Sequence, residues 1–153
     1  MDDFIYKELS YKIMDAVFKV HNILGPGYPE EKYEKALCKE FRDRKINYEK
    51  QKVTKVIYKD EDLGDFKMDL VVENKIILEL KAVSELIELF EAQVHSYLKA
   101  TGLKLGILIN FGKKKVEYKR IVNWYIIRDI RGPERIRGHS SYSCLCYEES
   151  GLL

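Results

Sequence analysis

Within the apolar run from Ile76 to Ala82, only Glu79 and Lys81 carry charge. In an extended strand, residues two apart share a face, so these two point the same way while Leu78 and Leu80 point into the opposite layer. A carboxylate and an ammonium placed in such a run cost free energy unless they pair with each other or bind an ion. Glu-x-Lys by itself says little, since it occurs four times, at Glu30, Glu73, Glu79 and Glu117. The triplet at Glu79 differs because an acid, Asp69, precedes it on a neighbouring candidate strand. With a three-residue loop of Glu73, Asn74 and Lys75, Val72 faces Ile76 and Asp69 falls opposite Glu79. A two-residue loop would turn Asp69 to the other face. Two adjacent carboxylates raise each other's pKa unless a cation lies between them. Hard oxygen ligands suit Mg²⁺ or Mn²⁺. Such an ion polarises a phosphoryl oxygen and lowers the pKa of a bound water. Lys81 on the same face can orient that water or offset charge building on the phosphate. Asp69, Glu79 and Lys81 thus form a coherent set for phosphodiester hydrolysis; the alternative is a structural ion pair between Glu79 and Lys81.

Other residues are open to two readings. Gln93 and Tyr97 are four apart and share a helix face. They are either the polar edge of an amphipathic helix or a pair reaching the carboxylates. Glu30 lies in Gly27-x-x-Glu30-x-x-Tyr33 at a helix start, either as a favourable charge there or as a further acidic ligand. His21 lies late on the first helix, as a structural histidine or a metal ligand. The Gly112-Lys113-Lys114-Lys115 turn is either solvated or a phosphate contact.

The elements that must position these residues follow from periodicity. Ile5, Leu9, Ile13, Val17, Val20 and Leu24 predict a helix from about Asp3 to Leu24, stopped by Gly25-Pro26-Gly27. A second helix follows, with Pro29 suited to its first turn, and runs to about Lys45, with Tyr33, Leu37 and Phe41 inward. Tyr48 to Tyr58 reads as a strand, Lys59 to Gly64 as a turn, Phe66 to Val72 and Ile76 to Ala82 as strands. Ser84 is suited to cap a third helix to about Ala100, with Leu86, Phe90, Val94 and Leu98 inward. Leu105 to Phe111 reads as a buried strand, and Val116 to Ile127 as one or two more. The order is α-α-β-β-β-α-β-β. Residues 1–127 form one expected domain and 128–153 an aperiodic tail, whose Arg128, Arg131, Arg135 and Arg137 are either solvated or in contact with phosphate.

A chain of 153 residues suits one domain with a real core. With 46% hydrophobic and 34% charged residues it reads as globular. A net charge of +2 is too mild to argue for nucleic acid, yet it leaves room for a site rich in carboxylates. Cys38, Cys144 and Cys146 give neither metal-finger spacing nor a disulfide framework, which fits a reducing compartment. No run reaches transmembrane length and no signal-like start is present, so the cytoplasm is the expected location.

Taken together, Val20-His21, Gly25-Pro26-Gly27, Glu30, Tyr33, Asp69, Glu79-Leu80-Lys81, Gln93, Tyr97-Leu98 and Leu108-Ile109-Asn110-Phe111 resemble the GxxExxY family, a branch of the PD-(D/E)xK nuclease superfamily. The resemblance runs from about Leu9 to Trp124, with Met68 where the superfamily label has Pro. It implies a restriction-endonuclease-like α/β fold, a mixed β-sheet flanked by helices, with the Asp and the Glu-x-Lys on adjacent strands. It implies that Asp69, Glu79 and the Leu80 carbonyl hold Mg²⁺ or Mn²⁺ and that Lys81 is catalytic. Glu30 matches the acidic position before the sheet. Gln93 and Tyr97 look like the Gln-x-x-x-Tyr motif of lambda-exonuclease-like relatives, some of which use an upstream His as a ligand, as His21 would be. The expected activity is cleavage of DNA, with RNA as the less favoured alternative. The alternative is a non-catalytic nucleic-acid-binding or assembly module retaining the fold. A lone domain of this size has little surface to grip a duplex, which points to a homodimer or a partner protein.

Overall fold

The computed structural model describes residues 4–126. The expectations for Asp3, for Ile127 and for the tail lie outside the described residues. Two helices come first, α1 (Lys7–Leu24) and α2 (Glu30–Asp43). The strands β1 (Tyr48–Tyr58), β2 (Glu61–Val72) and β3 (Ile76–Lys81) follow, then α3 (Glu88–Thr101), β4 (Leu105–Asn110) and β5 (Glu117–Val122). This is the predicted order. The strands form one five-stranded sheet in sequence order, antiparallel except for the parallel pair β3–β4. That pair needs a crossover, and α3 supplies it.

The sheet divides the core into two layers. On one face Leu70, Val72, Leu78, Leu80, Ile107 and Ile109 pack with the apolar stripes of α1 and α2. On the other, Met68, Val71, Ile77, Leu108 and Ile121 pack under Val94, Tyr97 and Leu98 of α3. Both faces of β3 and β4 are therefore covered, which explains their nearly unbroken apolar sequences.

Local chemistry sets the boundaries. Tyr6 is left-handed (φ 53), so α1 begins at Lys7. Gly25 (φ 69) ends it, its N–H donating to the His21 carbonyl. Pro29 stands just before α2 in an extended conformation, and the helix ends at Asp43 rather than near Lys45. The turn after β1 is only Lys59 and Asp60, both at positive φ; Tyr58 already pairs with Glu61. Such a two-residue turn matches strand twist, so the ladder resumes sooner than the six-residue turn expected. Helix α3 starts at Glu88, not after Ser84, and no side chain caps it. The reason is Asn110, whose side chain accepts from Val83 N–H and donates to Val83 C=O, holding that segment beside the sheet. Strand β5 ends at Val122, because Asn123 turns its amide onto the carbonyls of Leu98 and Leu103.

Candidate active site

Strands β2 and β3 are joined by Glu73, Asn74 and Lys75, and Val72 pairs with Ile76. Glu73 and Asn74 take left-handed φ values of 51 and 52, which closes the three-residue loop. The register is therefore the one that aligns Asp69 with Glu79. The ladder stops at Leu70–Leu78, however, and beyond it the strands separate. Asp69 fills this seam: its Oδ2 accepts from the backbone N–H of Leu80 at 2.8 Å. The N–H and C=O of one strand residue point to the same edge, so the Leu80 carbonyl also faces the seam. The inward alternation of β2 reverses here, with Leu70 packing toward α1 and α2 and Met68 toward α3.

Glu79 is 3% exposed. One of its oxygens accepts from Lys81 Nζ at 2.8 Å. The other, Oε2, is buried with no hydrogen-bond partner among the described residues. Helix α3 brings up the Gln-Tyr pair. Lys81 Nζ donates to Gln93 Oε1 at 3.4 Å, and Gln93 Nε2 donates to the Tyr97 hydroxyl at 2.5 Å. Phe90 lies beneath the Lys81 ammonium, 4.8 Å from ring centroid to Nζ, and Phe66 stacks on Tyr97. A continuous polar chain thus runs from Glu79 through Lys81 and Gln93 to Tyr97.

Glu30 enters from the first turn of α2, its Oε1 accepting from Ala82 N–H at 3.4 Å. An open cavity of about 390 Å³ is lined by Glu30, Glu31, Glu34, Lys50, Gln51, Asp69 and Leu80. Burial, then the charge of Asp69, pushes the Glu79 carboxyl up to about 7, with Glu30 adding repulsion. Burial raises Asp69 too, against the hydrogen bond from Leu80 and the charge of Lys81, while Glu34 and Glu30 push it further up. Burial also lifts the Tyr97 hydroxyl to about 12, so it is a neutral hydroxyl at any ordinary pH. Three carboxylates thus sense one another in a site with one oxygen unsatisfied. A divalent cation fits these observations, since it would relieve the repulsion and take the orphaned Glu79 oxygen. Among the described residues no cluster of three His, Cys, Asp or Glu side chains forms a ready-made cage. Mg²⁺ needs none, as it is held by one or two carboxylates and keeps several waters.

Asp69, Glu30 and Leu80 thus line the cavity, while Glu79, Lys81, Gln93 and Tyr97 form the polar chain on the α3 side of the seam. His21 is not brought into this cavity. Its Nε2 lies 2.8 Å from the Lys113 carbonyl and its ring packs along Phe111, so the expected metal role gives way to anchoring the β4–β5 loop. On its other side Phe111 stacks on Tyr33 at 4.5 Å, and the Tyr33 hydroxyl donates to the Gly25 carbonyl. Residues missed from sequence are Glu34, Lys50 and Gln51, which line the cavity; Asn110 stands in the Leu108-Ile109-Asn110-Phe111 motif, yet its clamp on Val83 is not legible there. Nothing marked the first three within a polar stretch of α2 and β1.

The chain that builds this site is similar to known proteins. A sequence model of the PD-(D/E)XK nuclease superfamily matches residues 7–121. This chain belongs to the PD-(D/E)XK nuclease superfamily. The match spans every element from α1 to the body of β5, so both the cavity and the polar chain lie inside it. PD-(D/E)XK nucleases generally use divalent metals, in keeping with the unsatisfied oxygen at Glu79. No curated protein matches the chain. Among solved structures, the crystal structure of SSO0001 is similar, with 17% identity and a TM-score of 0.49. The similarity covers 80% of this chain and 63% of that one, so this PD-(D/E)XK domain spans less than two thirds of that protein. Among the described residues no helix is long and apolar enough to cross a membrane.

Proposed function

We propose that the protein is a metal-dependent nuclease of the GxxExxY branch, hydrolysing phosphodiester bonds in DNA, with RNA as the alternative substrate and residues 1–127 as the catalytic domain. The observation that carries this reading is the seam: Asp69 and Glu79 meet where β2 leaves β3, and one buried Glu79 oxygen lacks a partner. Asp69, Glu79 and the Leu80 carbonyl would hold Mg²⁺ or Mn²⁺, with Glu30 beside them. The bound ion would lower the pKa of a water and polarise the phosphoryl oxygen. Lys81 donates to the charge that develops on the phosphate, and an ammonium half-desolvated over Phe90 does so more strongly than one in water. Gln93 accepts from Lys81 on the α3 side, so the ammonium keeps its aim when Glu79 no longer pairs with it. Tyr97 in turn fixes the Gln93 amide.

Cleavage of plasmid and single-stranded DNA in Mg²⁺ or Mn²⁺, comparing wild type with Asp69→Asn and Lys81→Ala, tests this reading. Both variants should lose cleavage while still folding. Cutting that survives both changes refutes it. A second reading, a non-catalytic nucleic-acid-binding module, draws on the Lys81–Glu79 ion pair, which already gives each group a partner. It predicts nucleic-acid binding indifferent to EDTA and no cleavage of any substrate.

A further inference from the structure

Strand β1 runs past the seam with a backbone irregularity that no hairpin requires. Lys50 pairs with Leu70 and Lys52 with Met68, which leaves Gln51 and Asp69 facing each other unpaired. Gln51 sits at φ 52, the left-handed region that costs an ordinary side chain on the order of 1 kcal/mol or more. Strain of this kind persists only where the surroundings impose it. Here they are the buried Glu34, 7% exposed. Its Oε2 accepts from Gln51 Nε2 at 2.6 Å and its Oε1 pairs with Lys50 Nζ at 3.1 Å. Among the described residues that line the cavity, Lys50 is the one cation, against Glu30, Glu31, Glu34 and Asp69. Its side chain is 45% exposed, so the ammonium is held by Glu34 yet faces the opening.

We infer that Lys50, held by Glu34 and aimed by the left-handed Gln51, is a substrate-binding residue that contacts a phosphate of the nucleic-acid backbone at the cavity on the α2 side of the seam. The inference rests on the nuclease reading and deepens it. A polyanion cannot approach four carboxylates without counter-charge, and Lys81 lies on the α3 side of the seam. Lys50 supplies the counter-charge at the cavity itself, on the α2 side. Gln51 and Glu34 are positioning residues: neither contacts the phosphate.

The test is fluorescence anisotropy of the full chain with a short fluorescein-labelled DNA duplex in Ca²⁺, at several salt concentrations, with an RNA duplex of the same sequence as a parallel arm. One lost phosphate contact lowers the salt slope by about 0.9. Lys50→Met should show that decrease with a 5- to 10-fold weaker affinity (about 1 to 1.4 kcal/mol). Glu34→Gln, which frees Lys50, should weaken binding less, and Lys55→Met further along β1 should not change it. Gln51→Gly removes the strain with the side chain, so it should melt at or above wild type yet bind more weakly. A structural role alone would not separate those two readouts. Equal losses on DNA and RNA identify a backbone contact; a loss confined to one sugar overturns it. An unchanged slope in Lys50→Met, with wild type binding normally, overturns this inference alone. Wild type that binds neither duplex overturns the nuclease reading and this one with it.

Discussion

Replacing Glu79 by Gln removes the charge while keeping the volume, and Gln can still accept from Lys81. In the folded protein Glu79 titrates at about 7, against 4.5 for the ordinary carboxyl. The folded state therefore holds a proton that the unfolded chain has already released. Stability from this group is fully present below pH 4.5 and is lost as the pH rises through about 7. At about 1.4 kcal/mol per pKa unit, the loss is about 3 kcal/mol. Glu79 is almost wholly buried, so solvent screening does not reduce it. The variant has no proton to lose. The exposed acids whose pKa values are lowered, Glu31, Asp43, Asp62 and Glu73, titrate in the opposite sense but are common to both proteins and cancel in the difference. Urea or thermal melts in EDTA should therefore show the variant gaining about 3 kcal/mol over wild type between pH 4.5 and pH 8, or roughly 6–12 °C in Tm. Saturating Mn²⁺ should close the gap at pH 8, because the wild-type carboxylate then has its cation and the variant does not. The variant should cut nothing under any of these conditions. A wild-type-to-variant difference that stays flat from pH 4.5 to 8, or moves the other way, refutes the argument.

Other perturbations separate scaffold from chemistry. Lys81→Ala should leave DNA binding in Ca²⁺ nearly intact while lowering single-turnover cleavage by about 10²- to 10³-fold, as loss of one transition-state donor does. Asp69→Ala exposes the Leu80 N–H in the seam and should cost about 1–3 kcal/mol in a urea melt, whereas Asp69→Asn should not. Gly112→Ala would set a Cβ 2.3 Å from the Val83 carbonyl oxygen, and a thermal melt should show about 1–3 kcal/mol of destabilisation. Phe111→Ala empties the slot between Tyr33 and His21 and should cost about 3–5 kcal/mol, measured the same way.

What was legible in the sequence was whatever short-range pattern decides. The apolar strand around Glu79 and Lys81 put both on one face, and Asn74 marked a loop able to turn in three residues, which left the register of Asp69 open between that loop and a two-residue one. The four-residue spacing of Gln93 and Tyr97 gave their shared face but not their direction, which depends on how α3 crosses the sheet. Ser84 has the right chemistry for a cap, yet Asn110, from another strand, holds the neighbouring Val83 and delays the helix. His21 stayed ambiguous because its partner, the Lys113 carbonyl, lies 92 residues away. Glu34, Lys50 and Gln51 look like solvated polar positions until α2 docks against β1. Their roles arise from burial and opposing charge, which no local spacing encodes.

The seam between β2 and β3 bears on how the molecule comes together. Its acids arrive on three segments that form separately: Glu30 on α2, Asp69 on the β1–β2 hairpin, and Glu79 on the strand that pairs with β4. The hairpin closes through two local residues, and β3 joins it through three. Glu30 and Ala82, 52 positions apart in the chain, meet only when the sequence between them has been brought to order. Loop-closure entropy makes that long contact late. A chain still emerging, or one whose helices have come loose, therefore holds Asp69 and Glu79 without their third acid. The complete acidic site matures last, so a half-folded copy lacks it.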